Sequence, residues 1–167
     1  VENLKTATGV TAASSIVMNT NANLSEFRGF DLSAGTTGAS TITMTGVTLA
    51  TTLIGGTGND TITAGAGDDT VSGGNGDDSI TGAAGADSLV GGNGDDEFVY
   101  ATNASFVTGN AAVDVVDGGA NNDSVVSSEK ITLVIADDLQ RIANVENLKT
   151  ATGVTAASSI VMDTDAN

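Results

Sequence analysis

The 167-residue chain contains no cysteine, no proline, no histidine and no tryptophan, and it has one tyrosine and four phenylalanines. Without cysteine there are neither disulfides nor thiol chemistry, and without histidine the commonest general base and transition-metal ligand is missing. Zinc sites of the usual nitrogen and sulfur kind are excluded with them. The scarcity of aromatics, in a chain whose apolar content is rich in alanine, argues against a thick globular core. Cations are scarce too: Lys5, Arg28, Lys130, Arg141 and Lys149 stand against 21 acids, for a net charge of −16, and the segment from Gly29 to Glu129 holds none. Such a chain is a poor partner for nucleic acid or an anionic membrane. No apolar run reaches transmembrane length, so membrane insertion is not expected. No signal-peptide pattern follows Val1, and the chain reads as an excerpt from something longer.

What it does contain is 22 glycines among many Thr, Ser, Asn and Asp, a composition that favours short strands and tight turns over long helices. Between Gly55 and Val99 the same nine-residue unit is written five times: GGTGNDTIT, AGAGDDTVS, GGNGDDSIT, GAAGADSLV and GGNGDDEFV. A unit this short cannot bury anything alone, so it must be stabilised by stacking on its neighbours in a solenoid. Glycines at the first, second and fourth positions suit a turn, and the T-I-T or T-V-S that closes each unit suits a strand. The eighth position carries Ile62, Val71, Ile80, Leu89 and Phe98, which are expected to stack inward as a thin apolar ladder.

The sixth position carries Asp60, Asp69, Asp78, Asp87 and Asp96. If two units make one 18-residue coil, Asp60, Asp78 and Asp96 form one column, and Asp69 and Asp87 the other. Carboxylates about 5 Å apart repel by about 1 kcal/mol per pair in water and by more where solvent is excluded. No cation of the chain lies nearby in sequence, so the counterion must come from solution. A hard divalent ion that accepts carboxylates together with the backbone carbonyls of glycine-rich turns is Ca²⁺. Second-neighbour pairing gives three expected calcium sites: Asp60 with Asp78, Asp78 with Asp96, and Asp69 with Asp87. Ala64 and Ala83 replace glycines in the second column, so its site is expected to be the weaker. Asp68, Asp77 and Asp95, at the fifth position, are expected to face solvent.

These units resemble the RTX nonapeptide, glycine-glycine-x-glycine-x-aspartate-x-large apolar-x, a calcium-binding β-helix repeat. The resemblance implies an all-β fold, a right-handed parallel β-helix or β-roll with calcium in its glycine-rich turns. It also implies secretion by a Gram-negative bacterium through a type I exporter, with folding triggered by extracellular Ca²⁺. Coupling of binding to folding is physically sensible, because carboxylate columns without metal oppose compaction that so small a core cannot enforce.

A second repeat operates on a larger scale. Residues 1–23, VENLKTATGVTAASSIVMNTNAN, return at 145–167 with Asn19 replaced by Asp163 and Asn21 by Asp165, a spacing of 144 residues. That is sixteen nine-residue slots, or eight 18-residue coils, about 40 Å at the inter-strand spacing. The nine-residue phase persists more weakly outside the clear units, placing Met44, Leu53, Val107, Val116 and Val125 inward and Asp114 and Asp123 at the sixth position. Residues 19–36 break it, with Glu26 and Gly35 at inward slots, and predict a wide coil or loop. Residues 137–148 carry a weak helical-turn signal. The chain thus divides into degenerate coils over 1–54, the RTX β-roll over 55–99, degenerate coils over 100–144, and the start of the next tandem module at 145–167.

Near-identical long repeats suit a protein whose work depends on length or lateral repetition. The expected function is a structural module of a long, calcium-dependent extracellular solenoid, forming a filament, a surface layer or an adhesin stalk. Its expected partners are tandem modules, lateral neighbours and a cell-surface anchor. The alternatives are an adhesin region that binds a ligand or ice, to which the outward pairs Thr61 and Thr63, Thr70 and Ser72, and Ser79 and Thr81 point, and the secretion or folding appendage of an exported enzyme. Catalysis within this segment is not expected: there is no HExxH, no GxSxG elbow and no phosphate-cradling lysine. Asn-x-Ser/Thr sequons at Asn23, Asn59, Asn103 and Asn122 follow from composition, and the DTDAN at 163–167 resembles the opening of a calcium loop.

Overall fold

The computed structural model describes residues 4–5, 15–18, 27–34, 37–101, 114–128, 132–134, 141–150 and 159–161. In chain order the strands are β1 (Leu4–Lys5), β2 (Ser15–Val17), β3 (Gly29–Asp31), β4 (Thr41–Thr43), β5 (Thr52–Gly56), β6 (Thr61–Thr63), β7 (Thr70–Asn75) and β8 (Ser79–Thr81). They continue as β9 (Ser88–Asn93), β10 (Glu97–Tyr100), β11 (Val115–Ala120), β12 (Ser124–Ser127), β13 (Thr132–Val134), β14 (Ile142–Ala143), β15 (Asn147–Thr150) and β16 (Ser159–Val161). No α-helix occurs among the described residues. Every pairing is parallel, and alternate strands go to alternate sheets. One sheet runs β1-β3-β5-β7-β9-β11-β14 and the other β2-β4-β6-β8-β10-β12-β15, while β13 and β16 form a separate pair. This is a parallel β-roll.

Short strands with a β-branched or apolar residue at their centre explain the core. Phe30, Leu53, Val71, Leu89 and Val116 stack along the first sheet, and Ile42, Ile62, Ile80, Phe98 and Val125 along the second, all essentially sealed from solvent. The five inward residues of the clear units are among them. The turns between strands pack backbone on backbone. At Gly74 and Gly92, φ of +120° and +124° lies in the region that disfavours side chains, and a Cβ on Gly92 would strike the Gly74 carbonyl of the adjoining coil. Ala83 takes a comparable conformation, φ +73°, without being glycine.

The coil is not of constant length. It measures 18 residues through the clear repeat, as from Leu53 to Val71 to Leu89 and from Ile62 to Ile80 to Phe98. Towards the N-terminus it widens to 20 (Ile42 to Ile62), 23 (Phe30 to Leu53) and 26 (Leu4 to Phe30, Ile16 to Ile42). Towards the C-terminus it jumps to 27 (Leu89 to Val116, Phe98 to Val125) and is then 26 from Val116 to Ile142 and 23 from Val125 to Leu148.

Met44 and Leu53 lie inward as expected, and Ile42, two residues before Met44, is the strand residue that stands opposite Ile62 because that coil is 20 residues long. Two expectations are corrected. Residues 142–143 and 147–150 are strands, not a helical turn, since their backbones pair with β11 and β12; residues 137–140 lie outside the described residues. Among the described residues the coils are not uniform: β1 to β15, the 144-residue interval, spans fourteen described strands of the two sheets, hence thirteen half-coils and about 31 Å. Val107, Glu26, Gly35 and the 163–167 motif fall outside the described residues.

Candidate metal centre

The sixth-position aspartates occupy the turns, where each coil crosses from one sheet to the other. Asp60, Asp69, Asp78, Asp87 and Asp96 are all buried, at 1–2 % exposure, although nothing in the composition of a turn demands it. Stacking gathers them into two columns. In the first, Asp78 Oδ1 accepts the backbone N–H of Asp60 at 2.7 Å and Asp96 Oδ1 accepts that of Asp78 at 2.8 Å. In the second, Asp87 Oδ1 accepts the N–H of Asp69 at 2.8 Å. One carboxylate oxygen per residue is therefore committed to the adjoining coil.

The columns extend beyond the five residues. Asp123 Oδ1 accepts from the N–H of Asp96, Glu146 Oε2 from that of Asp123, and Asp60 Oδ1 from that of Ser40. In the second column Asp114 Oδ1 accepts from the N–H of Asp87. Asp114 and Asp123 share the sixth-position phase, but the 27-residue coil that brings them into the stack has no signature in the repeat. Glu146 lies outside the nine-residue motif altogether.

The second oxygen is the informative one. Oδ2 of Asp60, Asp78, Asp87, Asp96, Asp114 and Asp123 is buried and has no hydrogen-bond donor. In five of these loops Oδ2 lies against the first glycine of its own unit, Gly55, Gly73, Gly82, Gly91 or Gly118, where any Cβ would collide with the carboxylate. Asp69 is the exception and shows why. Its unit begins with Ala64, and its Oδ2 turns to the N–H of Gly65 at 3.0 Å, while Oδ1 takes both the N–H and the hydroxyl of Thr51. The first-position glycine thus makes the space in which an unpartnered carboxylate oxygen is kept.

Burial raises the pKa of these groups, opposed by the backbone amides they accept and reinforced by neighbouring carboxylates. Asp78 is pushed up to about 7, with Asp60, Asp96 and Asp77 adding to the burial, and Asp87 likewise to about 7. Asp96 rises to about 6. Asp123 is raised in the same way, burial first, while Asp60 and Asp114 are raised by burial against the backbone amides they accept and the neighbouring Ser40 and Tyr100 hydroxyls. The Tyr100 phenol, buried beside Asp114, is also pushed upward by burial and by that carboxylate. A positive charge placed beside them would favour the ionised form.

At the fifth position Asn59, Asp68, Asp77 and Asp95 are exposed and bond in the opposite sense. Asp77 Oδ1 accepts the N–H of Asp95, and Asp95 Oδ1 that of Asn122. An acidic cleft of about 340 Å³ opens there, lined by Asp77, Asp78, Asp95, Asp96 and Glu97, with Lys149 at its margin.

A hard cation fits this donor set. Orphaned buried carboxylate oxygens, raised pKa values and glycine-rich turns that expose carbonyls are what Ca²⁺ accepts, with six to eight oxygens of mixed kind. Among the described residues no cluster of three or more acidic side chains converges on one point, so a bound ion would draw on one or two carboxylates and on backbone oxygens.

The family model of the RTX calcium-binding nonapeptide repeat, in four copies, matches residues 45–80, 72–100 and 103–127. The chain carries RTX calcium-binding nonapeptide repeats. RTX nonapeptide repeats bind calcium, and they are typical of proteins secreted by Gram-negative bacteria. The matched residues of this RTX chain include the six whose Oδ2 is orphaned. No curated protein and no solved structure matches the chain.

Proposed function

We propose that this RTX segment is a calcium-loaded structural module of a long extracellular solenoid, of the kind that builds a filament, a surface layer or an adhesin stalk on a Gram-negative cell. The observation that carries the reading is the pair of columns of buried aspartates running along the roll, six of which keep an Oδ2 without a donor. Asp60, Asp78 and Asp96, with Asp123 beyond them, hold calcium in the first column, and Asp87 and Asp114 in the second. Asp69, already satisfied by Thr51 and Gly65, contributes least, which makes the Asp69–Asp87 interval the weakest of the three expected sites. Bound Ca²⁺ supplies the charge that lets the columns coexist, so metal and fold arrive together outside the cell. The 144-residue internal repeat supports a role that depends on length.

Electron microscopy and circular dichroism with Ca²⁺ and with EGTA test the reading. Ordered β structure in Ca²⁺ that is lost in EGTA is expected; fibres or folded solenoid that survive EGTA unchanged would overturn it.

One observation favours a second reading, an ice- or ligand-binding face. The outward positions of β4, β6 and β8 align as Thr41, Thr61 and Ser79 in one row and Thr43, Thr63 and Thr81 in another. That is a flat hydroxyl lattice with rungs about 4.8 Å apart. Ice recrystallisation assays on the calcium-loaded protein, compared with Thr61→Lys, decide it: equal activity in both excludes this face.

A further inference from the structure

The dipeptide Asn-Gly occurs twice in the chain, as Asn75–Gly76 and Asn93–Gly94, at the third and fourth positions of the two GGNGDD units. Neither asparagine belongs to a carboxylate column. Both are exposed on the turns, and they stand in register one coil apart, with Asn93 Nδ2 donating to Asn75 Oδ1 at 2.7 Å. Gly76 and Gly94 have φ of +115° and +132°, a conformation that reserves both positions for glycine. Glycine has no side chain to shield its backbone nitrogen from the amide of the residue before it. In the roll, however, that nitrogen is engaged elsewhere: Gly76 N–H donates to the Asn93 carbonyl at 2.7 Å, and Gly94 N–H to the Ala120 carbonyl at 3.2 Å.

We infer that Asn75 and Asn93 are spontaneous deamidation sites that the stacked coils hold closed, so that a chain kept from folding is converted there to aspartate and isoaspartate. In the open chain the Gly76 nitrogen gives up its proton and bonds to Cγ of Asn75. The Cγ–Nδ2 bond breaks, and the amide leaves with a proton as ammonia. Water then opens the cyclic imide. Opening at Cγ gives aspartate; opening at the main-chain carbonyl of residue 75 gives isoaspartate, whose backbone runs through the side chain and is longer by one methylene. Asn93 and Gly94 react in the same way.

The products bear on folding. Residue 75 lies between Gly74, paired with Gly92, and Asp78, whose N–H donates to Asp96 Oδ1, and a lengthened backbone cannot keep both in register. Aspartate keeps the register but replaces the Asn93–Asn75 hydrogen bond with like charges one coil apart. The two sites are unequal while the coils are stacked. The Gly76 hydrogen bond is the shorter, and the Asn75 carbonyl oxygen is held by Asn93, so Asn93 is the faster to react.

This inference rests on the solenoid reading only for what opens the coils, and its test keeps the two apart. The full chain is incubated in mildly alkaline buffer with Ca²⁺, with EGTA, and with EGTA and urea, and circular dichroism is recorded in parallel. Peptide mass mapping reads the one-dalton gain at each residue, and released ammonia is assayed. Both asparagines are expected to convert in EGTA and in urea, and at least about tenfold more slowly in Ca²⁺, where reaction proceeds through the small open population. In Ca²⁺ Asn93 converts ahead of Asn75, and Asn93→Thr, which removes the amide holding Asn75, speeds conversion there. Chain aged in EGTA and returned to Ca²⁺ loses β structure in step with its isoaspartate content, whereas the double variant Asn75→Gln and Asn93→Gln, aged alike, refolds fully. Urea that leaves both asparagines intact, or equal rates in urea and in calcium-folded protein, overturns the inference and leaves the solenoid reading standing. A chain folded and protected in EGTA, yet converted in urea, upholds the sites and counts against the solenoid reading instead.

Discussion

Asp96 Oδ1 accepts the backbone N–H of Asp78 at 2.8 Å, and these residues stand eighteen positions and one coil apart. The side chain that would repel its neighbour is tied by one oxygen to that neighbour's backbone, and its second oxygen is buried without a donor. Structure and charge are thereby separated onto two atoms of one carboxylate.

Replacing Asp78 tests this division. Asp78→Asn keeps an oxygen for the Asp60 amide and removes the charge, so it is expected to fold at lower calcium and to bind less of it. Asp78→Ala leaves that amide buried and unsatisfied, at a cost of roughly 1–3 kcal/mol. Calcium-titrated circular dichroism with denaturant unfolding distinguishes them; identical calcium midpoints for Asn and wild type would count against a metal-binding Oδ2.

The first glycine of each unit sets the second prediction. A Cβ on Gly73 collides with the Asp78 carboxylate, so Gly73→Ala should cost about 1–3 kcal/mol through overpacking and weaken calcium binding together. Conversely, Ala64→Gly removes the Cβ beside Asp69 and should strengthen calcium binding in the second column. Calorimetric titration of both variants reads this, and an unchanged stoichiometry and affinity in Ala64→Gly would show that the alanine is immaterial.

The pH dependence has opposite signs with and without metal. The folded carboxyls of Asp78, Asp87 and Asp96 sit at about 7, 7 and 6, above the ordinary 3.8 of an unfolded aspartate, so the metal-free folded state binds more protons. Its stability is therefore fully retained below pH about 4 and falls as pH rises to about 7. Calcium takes the ionised form, so its affinity should rise over pH 6–7 with release of protons. Circular dichroism of protein freed of calcium beforehand and of protein in Ca²⁺, each at pH 4.5 and 7.5, should show the crossed pattern, with more β structure at the lower pH without metal and at the higher pH with it; signals that move in parallel would refute it.

Among the described residues Phe98 is the largest wholly buried side chain, in the coil next to the abrupt 18-to-27 widening. Phe98→Ala should cost about 3–5 kcal/mol, with no slack for a thin core to close the cavity. Denaturant midpoints in saturating calcium measure it, and a loss below about 1 kcal/mol would mean that metal rather than packing dominates there.

Much of the site was legible because its cause is local. A nine-residue phase puts every sixth residue in a turn and every eighth in the core, so Asp60, Asp78 and Asp96 fall in one column and Ile62, Ile80 and Phe98 in one ladder before any coordinate is known. Phase alone did not reveal Asp123 and Glu146 as the continuation of the first column, since a coil that grows from 18 to 27 residues leaves the repeat motif without changing its own letters. Met44 was legible as a core residue, but that Ile42 stands opposite Ile62 was not, because that coil is two residues longer than 18.

The sequence by itself determined the charge, the turn chemistry, the identity of the stacked aspartates and the repetition of residues 1–23, all of which are properties of spacing along the chain. Only the tertiary structure decided how wide each coil is, which carboxylate oxygen is bonded and which is orphaned, and that the two copies of one segment end different sheets. Coil width depends on which distant backbones close the ladder, and an oxygen's partner depends on the coil above it, so neither can be read from a single turn.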